Sequence, residues 1–180
     1  GAAMLLFYIS TEYAIVGWLV TYFQDVGVLS ADHAQMMNSL LWLVIFIGRM
    51  VGAAVTGKVS RSRILMADGF GLFVFFLVMF FSRTAGPVVL GLVGVGFFMA
   101  TIYPTAFAFG SDCIKGNDLG CSIMIFTGSA GGIITPAMVG FVAERAGIRA
   151  GMGLILAYTA LLLLSVILSV ASVQGAKSIE

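Results

Sequence analysis

Charged side chains are scarce in this sequence. Asp, Glu, Lys and Arg make up 9% of its 180 residues, whereas soluble domains carry about 25%. Hydrophobic residues make up 61%, so the composition indicates a membrane protein and excludes an ordinary soluble domain. The formal net charge is only +1, which gives no sign of a nucleic-acid partner.

Histidine and cysteine are also too few to suggest a metal centre. The chain has one histidine, His33, and two cysteines, Cys113 and Cys121, which bracket the polar loop CIKGNDLGC. Their spacing fits no zinc pattern, and no histidine lies near them in the sequence. There is no Ser/His/Asp or Cys/His set and no phosphate loop. We therefore predict no metal, no cofactor and no enzymatic activity.

Six apolar stretches are each long enough to cross a bilayer, which takes about 20 helical residues. Polar turns such as GKVSRSR and SDCIKGNDLG separate them. The sequence thus predicts an all-α membrane protein with one six-helix domain over residues 1–180. Its predicted spans are 3–24, 34–57, 64–82, 86–110, 119–143 and 148–172.

Lysine and arginine in the short loops predict how the spans are oriented, because cytoplasmic loops carry the excess. One side of the membrane collects Lys58, Arg61, Arg63, Lys115 and Lys177. The other side collects Arg83, Arg145 and Arg149. We therefore expect both termini to be cytoplasmic.

An internal repeat becomes visible when the sequence is shifted by 83 residues. GRMVGAAVTGKVSR then lies over GGIITPAMVGFVAE, so that Gly48 meets Gly131 and Gly57 meets Gly140. Because three spans are an odd number, a second copy must be inverted, which is a known plan of secondary transporters. We predict two inverted repeats, about 1–83 and 84–172.

Polar side chains concentrate in spans one, two, four and five, whereas spans three and six are bulky and nearly uninterrupted. We expect spans three and six to face lipid and the other four to face a protein interior or cavity. The polar positions are Glu12, Asn38, Arg49, Thr101, Tyr103, Thr105, Thr127 and Ser129.

Glu12 is the main candidate for a functional group, since a carboxylate at the bilayer centre costs roughly 2.5–3.5 kcal/mol on insertion scales. One interpretation is a midplane carboxylate that accepts a sugar hydroxyl or carries a coupling proton. The other is a structural ion pair with Arg49. At 1.5 Å per helical residue, Glu12 and Arg49 would lie at depths of about 15 and 12 Å, so the two groups could meet. Both interpretations stay open here.

Two pairs of side chains, each four residues apart and each with a tryptophan, lie near the outer ends of spans one and two. Trp18 and Tyr22 suit the interfacial aromatic belt, and an aromatic ring can also bind a sugar. Of the two, Tyr22 is the candidate for the belt and Trp18, one turn deeper, the candidate for a ligand contact. Asn38 and Trp42 form the second pair, and the Asn38 amide can both donate to and accept from hydroxyls.

Two further residues have predicted structural roles, Pro104 in span four and Asp68 in span three. Pro104, next to Tyr103, should kink span four, because proline removes a backbone hydrogen bond. Asp68 lies near the basic loop and is expected to neutralise Arg61 or Arg63.

Several stretches resemble the C-terminal six-helix half of major facilitator superfamily transporters. GRMVGAAVTGKVSRSR, which includes Gly57, Lys58, Arg61 and Arg63, resembles the glycine-and-basic loop motif, with Ser60 where the family usually has Asp. GSAGGIITPAMVGFVAERAG resembles the glycine-rich eleventh helix of such transporters. YISTEYAIVGWLVTYF and ATIYPTAFAFGSD are similar to the fucose–galactose–hexose proton symporter family.

This resemblance implies a monosaccharide substrate and a proton or, in some relatives, sodium gradient as the drive. It also suggests a bacterial inner membrane. The concentration of polar residues in four of the six spans predicts substrate or coupling contacts at Glu12, Arg49, Trp18, Asn38, Trp42, Tyr103 and Thr127. The missing partner would be an N-terminal six-helix half or a second copy. The chain starts at Gly1 without Met, so we expect a fragment or processed product. The alternatives are a self-assembling six-helix module that does not transport, and a transporter for another solute class.

Overall fold

A computed structural model describes residues 1–25, 27, 29–115 and 117–177, with side chains up to residue 173. Within those ranges the chain is helical, apart from short turns and an isolated β-bridge between Thr56 and Val59. The helices are α1 (Ala2–Asp25), α2 (Ala31–Val55), α3 (Arg61–Phe81), α4 (Ala85–Met99), α5 (Ile102–Cys113), α6 (Asp118–Ala146) and α7 (Ile148–Lys177).

Six helical segments are long and apolar enough to cross a membrane, as the sequence predicts. They correspond to the seven helices, with α4 and α5 together forming one segment, Ala85–Cys113. The prediction of an all-α fold with six membrane-length helices is therefore confirmed. Lys177, which was counted among the loop charges, ends α7, and its side chain lies outside the described part.

The fourth span is broken at Ala100 and Thr101, between α4 and α5. Pro104 explains the position of the break, because its ring clashes with the carbonyl four residues earlier, which belongs to Ala100. The missing proline N–H also leaves that carbonyl without its helical donor. The predicted kink is present, one turn before the proline itself.

Helix ends follow local sequence signals. The Ser30 hydroxyl accepts a hydrogen bond from the His33 backbone N–H at the start of α2, and the Asn117 side chain accepts one from Gly120 N at 3.0 Å at the start of α6. Such caps satisfy the free N–H groups of a first turn. Gly147 ends α6 with φ +86°, a backbone conformation that glycine adopts without steric cost.

Two pairs of helices that run in the same direction pack together, α1 with α6 and α2 with α4. Glycines allow both close approaches. A Cβ on Gly131 of α6 would lie 3.0 Å from the Leu6 carbonyl oxygen of α1, and a Cβ on Gly48 of α2 would lie 2.9 Å from the Phe97 carbonyl oxygen of α4. Any larger residue would force the backbones apart.

The second and fifth spans leave the widest apolar faces open. In the apolar windows of α2 and α6, 22% and 28% of the residues are buried, against 39% in α3 and 33% in α7. The reason is that α3 and α7 pack against each other and, respectively, against α4 and α1. Large exposed side chains on α2 and α6 include Trp42, Phe46, Met50, Phe126, Ile133, Ile134 and Phe141.

Candidate functional site

Glu12 lies in the middle of α1 and is half-buried. Tyr8 lies one helical turn earlier, on the same face of α1, and is 1% exposed. The Tyr8 ring packs against the Tyr103 ring of α5, with 6.2 Å between the ring centroids. Tyr8 therefore lies beside both Glu12 on α1 and Tyr103 on α5.

Arg49 of α2 lies close enough to attract the Glu12 carboxylate through space, but the two do not form an ion pair. The proposed structural pair is therefore not made in this structure. Among the described residues, the salt bridge that is present joins Arg61 to Asp112. The Arg49 side chain instead extends into a cleft.

This cleft, called the Arg49 cleft below, has a volume of about 760 Å³. It opens between the C-terminal half of α2, the start of α3 and the broken span α4–α5. Its lining combines two arginines with four hydroxyl-bearing side chains and small apolar groups. The polar members are Arg49, Arg61, Thr56, Thr101, Tyr103 and Thr105.

Asp68 does not neutralise the basic loop, which corrects the sequence prediction. It is buried at 8% exposure, and its carboxylate accepts a hydrogen bond from the Thr101 hydroxyl at the break between α4 and α5. Arg61 points away to Asp112 at the end of α5. Asp68 does not reach the loop because it lies two turns into α3, on the face that packs against α4 and α5.

The loop motif lies at the end of the bundle where α2 ends and α3 begins. Gly57 has φ +96°, which lets the chain reverse between the two helices. Lys58 and Arg63 are exposed. Both partners of the Arg61–Asp112 pair are also exposed, at 47% and 64% of their side-chain areas. The pair therefore joins the loop to α5 without being buried.

Trp18 and Tyr22 take part in helix packing. The Trp18 indole N–H donates to the carbonyl oxygen of Pro136 in α6 at 3.0 Å, beside Gly140. Tyr22 is 1% exposed, and its hydroxyl donates to the Phe80 carbonyl oxygen of α3 at 3.1 Å. Tyr22 is therefore buried within the bundle, where its hydroxyl links α1 to the C-terminal end of α3.

The other predicted contacts lie apart from the Arg49 cleft. Trp42 is 47% exposed on the open face of α2. The Asn38 Oδ1 atom is buried without a hydrogen-bond partner among the described residues. The Thr127 hydroxyl donates to the Ile123 carbonyl oxygen in its own helix, and the side chain lines a separate cleft between α1, α6 and α7.

Sequence reasoning assigned no role to Tyr8 or Asp112, and it placed Thr101 only among the polar positions of span four. The four-residue spacing of Tyr8 and Glu12 was a usable signal, because such residues are neighbours on a helix. The other two contacts join residues 51 and 33 positions apart, and only the packing of the helices reveals them. Within the described ranges, no three His, Cys, Asp or Glu side chains gather as a candidate metal site.

Two transporters of known name are similar to this chain in sequence. The chain is 25% identical over 158 residues to a glucose/galactose transporter of Brucella abortus, covering 83% of this chain and 36% of that protein. It is 28% identical over 143 residues to the L-fucose-proton symporter of Escherichia coli, covering 78% and 32%. The chain thus spans about a third of the length of these relatives. No protein-family model matches it.

Solved structures agree with the fold. The chain superimposes on the major facilitator superfamily transporter FucP, crystallised in the outward conformation, with a TM-score of 0.81 at 22% identity, over 93% of this chain and 41% of that one. A peptide transporter crystallised with alafosfalin gives a TM-score of 0.81 at 16% identity, over 93% and 36%. The chain therefore has the fold of a six-helix half of a major facilitator superfamily transporter, and the relatives that it resembles in sequence include glucose/galactose and fucose transporters.

Proposed function

We propose that the chain is the C-terminal half of a twelve-helix transporter that moves a monosaccharide by proton-coupled alternating access. Sodium is the alternative coupling ion. One observation carries the proposal: a half-buried carboxylate, Glu12, stands in mid-span without an ion-pair partner among the described residues. Intramembrane ionisable groups mark substrate and ion pathways, and the relatives named above are sugar transporters.

Glu12 would bind a sugar hydroxyl or the coupling proton. Tyr8 lies one turn away on the same face of α1, where its hydroxyl would donate to the carboxylate. Arg49 and Tyr103, on α2 and α5, would complete the polar side of the substrate cavity. Trp18, Asn38, Trp42 and Thr127 remain candidate contacts, with Trp18 and Thr127 already holding hydrogen bonds within the protein.

The open apolar faces of α2 and α6 support a second six-helix half as the partner. Transporters of this fold bind substrate near the midplane, between two such halves. A second half would cover these faces and close the far side of the cavity, while the outer faces of α3 and α7 contact lipid.

The glycine contacts support the two inverted repeats. Gly48 brings α2 against the fourth span, and Gly131 brings α6 against the first span. The repeat maps span one onto span four and span two onto span five. The contact of span two with span four is therefore equivalent to the contact of span five with span one. In the same proposal the loop end with Lys58, Arg61 and Arg63 is cytoplasmic, as are both termini, in a bacterial inner membrane.

Uptake of radiolabelled glucose, galactose and fucose into proteoliposomes tests the function. The chain alone, the chain with its N-terminal half, and the combined protein carrying Glu12→Gln are compared. Glu144→Gln, which changes an exposed carboxylate at the end of α6, is the matched control. We expect uptake driven by a pH gradient in the combined protein and in the control, and no gradient-driven uptake with Glu12→Gln.

The other outcomes have distinct meanings. Uptake by the chain alone would show that a second copy replaces the N-terminal half. Uptake driven by sodium but not by protons would change the coupling ion only. Unimpaired proton-driven uptake by a folded Glu12→Gln protein would remove Glu12 from the mechanism. The absence of uptake in every folded form would favour a non-transporting module or another solute class.

A further inference from the structure

The Arg49 cleft has the size of a small-molecule site. Its volume of about 760 Å³ falls within the range of about 300–1,000 Å³ that is usual for ligand pockets. Three elements form its walls, α2, α3 and the broken span α4–α5. The break at Ala100 and Thr101 lies in one of these walls.

The charge of the lining is positive. Arg49 and Arg61 both line the cleft, and neither Asp nor Glu is among its lining residues. Asp112 neutralises Arg61 from outside the lining. Arg49 has no salt-bridge partner among the described residues, and Glu12 attracts it only through space. Arg49 is exposed on the wall of the cleft, so its guanidinium is accessible to an anion that enters the cleft.

The hydroxyl groups suit the rest of a polyhydroxylated ligand. Thr56 and Thr101 already donate their protons, to the Gly52 carbonyl oxygen and to Asp68, so their oxygens can only accept from a ligand. The half-buried Tyr103 lines the cleft beside Pro104. Arginine is the preferred side chain for a carboxylate or a phosphate, which its planar donors bind in a bidentate manner.

We propose that the Arg49 cleft binds an oxyanion, and that the solute is a monosaccharide carrying a carboxylate or a phosphate group. Arg49 binds the oxyanion, and the threonine oxygens accept hydrogen bonds from sugar hydroxyls. Only the identification of the solute as a sugar rests on the transport function proposed above. The anion site stands on the charge and shape of the cleft.

Binding to the whole transporter, reconstituted in zwitterionic lipid, tests this proposal. The probes are glucuronate, glucose 6-phosphate, glucose and inorganic phosphate, each measured by calorimetry. The variants are Arg49→Gln, Arg49→Lys and the control Arg83→Gln, an exposed arginine beyond the far end of α3. Because hydrogen bonds to charged groups contribute about 1.5–3 kcal/mol, Arg49→Gln should weaken binding of the charged sugar about 10- to 100-fold.

The expected result is tighter binding of one charged sugar than of glucose, lost in Arg49→Gln, partly kept in Arg49→Lys and unchanged in Arg83→Gln. Glucose binding should change little in all three. Preference for glucuronate or for glucose 6-phosphate identifies the anionic group. Equal affinity for glucose and both charged sugars, or no effect of Arg49→Gln, would overturn the proposal.

Two further measurements distinguish this proposal from a lipid headgroup site and from the transport function. If binding is abolished when anionic lipid is added, and inorganic phosphate does not compete, the cleft is a lipid headgroup site and the proposal is wrong. Uptake is measured in the same vesicles. Arg49-dependent binding of a charged sugar without uptake would refute transport and keep the anion site. Uptake of glucose without binding of a charged sugar would support transport and refute the anion site.

Discussion

Replacement of Gly52 by alanine tests the close packing of α2 against Thr101, at the break between α4 and α5. A Cβ on Gly52 would overlap the Cγ2 methyl of Thr101 and lie 3.4 Å from the Thr101 Cβ. Thr101 cannot simply rotate away, because its hydroxyl donates to the buried Asp68 carboxylate. The alanine must therefore either push the helices apart or break this hydrogen bond.

The expected loss in the free energy of unfolding follows from the less costly of these two responses. Overpacking costs about 1–3 kcal/mol, and the loss of a hydrogen bond to a charged group costs about 1.5–3 kcal/mol. The better helix propensity of alanine offsets about 1 kcal/mol. We expect Gly52→Ala to lower the free energy of unfolding by up to about 2 kcal/mol, as measured by equilibrium unfolding of the whole protein in mixed micelles.

Two further variants make the test specific. Thr101→Ser removes the clashing methyl but keeps the hydroxyl that bonds Asp68, so it should change stability little and should restore most of what Gly52→Ala loses. Gly153→Ala is the matched control, since no atom lies within 4 Å of its added Cβ, and it should not destabilise. Additive effects of the Gly52 and Thr101 substitutions would show that the methyl clash is not the cause.

Two other contacts give testable predictions. Trp18→Phe removes the N–H that donates to the Pro136 carbonyl and should lower the free energy of unfolding by about 1 kcal/mol, measured in the same micelles. Lost sugar binding at unchanged stability would instead make Trp18 a ligand contact. Arg61→Gln breaks the exposed pair with Asp112 and should cost less than about 1 kcal/mol, with the loss disappearing at high salt. A large, salt-independent loss would show that the pair is buried in the assembled protein.

The helical class and the number of spans could be predicted from the sequence because each span satisfies its backbone hydrogen bonds internally. Apolar length alone therefore marks it. The kink in span four was equally local, since Pro104 acts on the residue four positions before it. Caps and stops, such as Ser30 and Gly147, depend on neighbouring residues in the same way.

The candidate site was only partly predictable. Glu12 stood out because an isolated charge in an apolar run is visible without any packing. The alternative interpretation, an ion pair with Arg49, rests on depth alone, and depth does not determine the rotation of a helix about its axis. The Arg49 side chain extends into the cleft instead. The same reason accounts for Tyr22, which lies at a depth suited to an aromatic belt but faces α3.

The sequence by itself thus determined that this protein is a bundle of six membrane-length helices with a lone mid-span carboxylate, because hydrophobic length and charge are properties of each segment alone. Only the tertiary structure decided which groups meet. The Asp68–Thr101 hydrogen bond, the Arg61–Asp112 pair and the Arg49 cleft all depend on how closely the glycine-lined helices approach and on which face each one turns toward its neighbours. Side-chain partners in a bundle are set by those distances and rotations, and a linear pattern does not contain them.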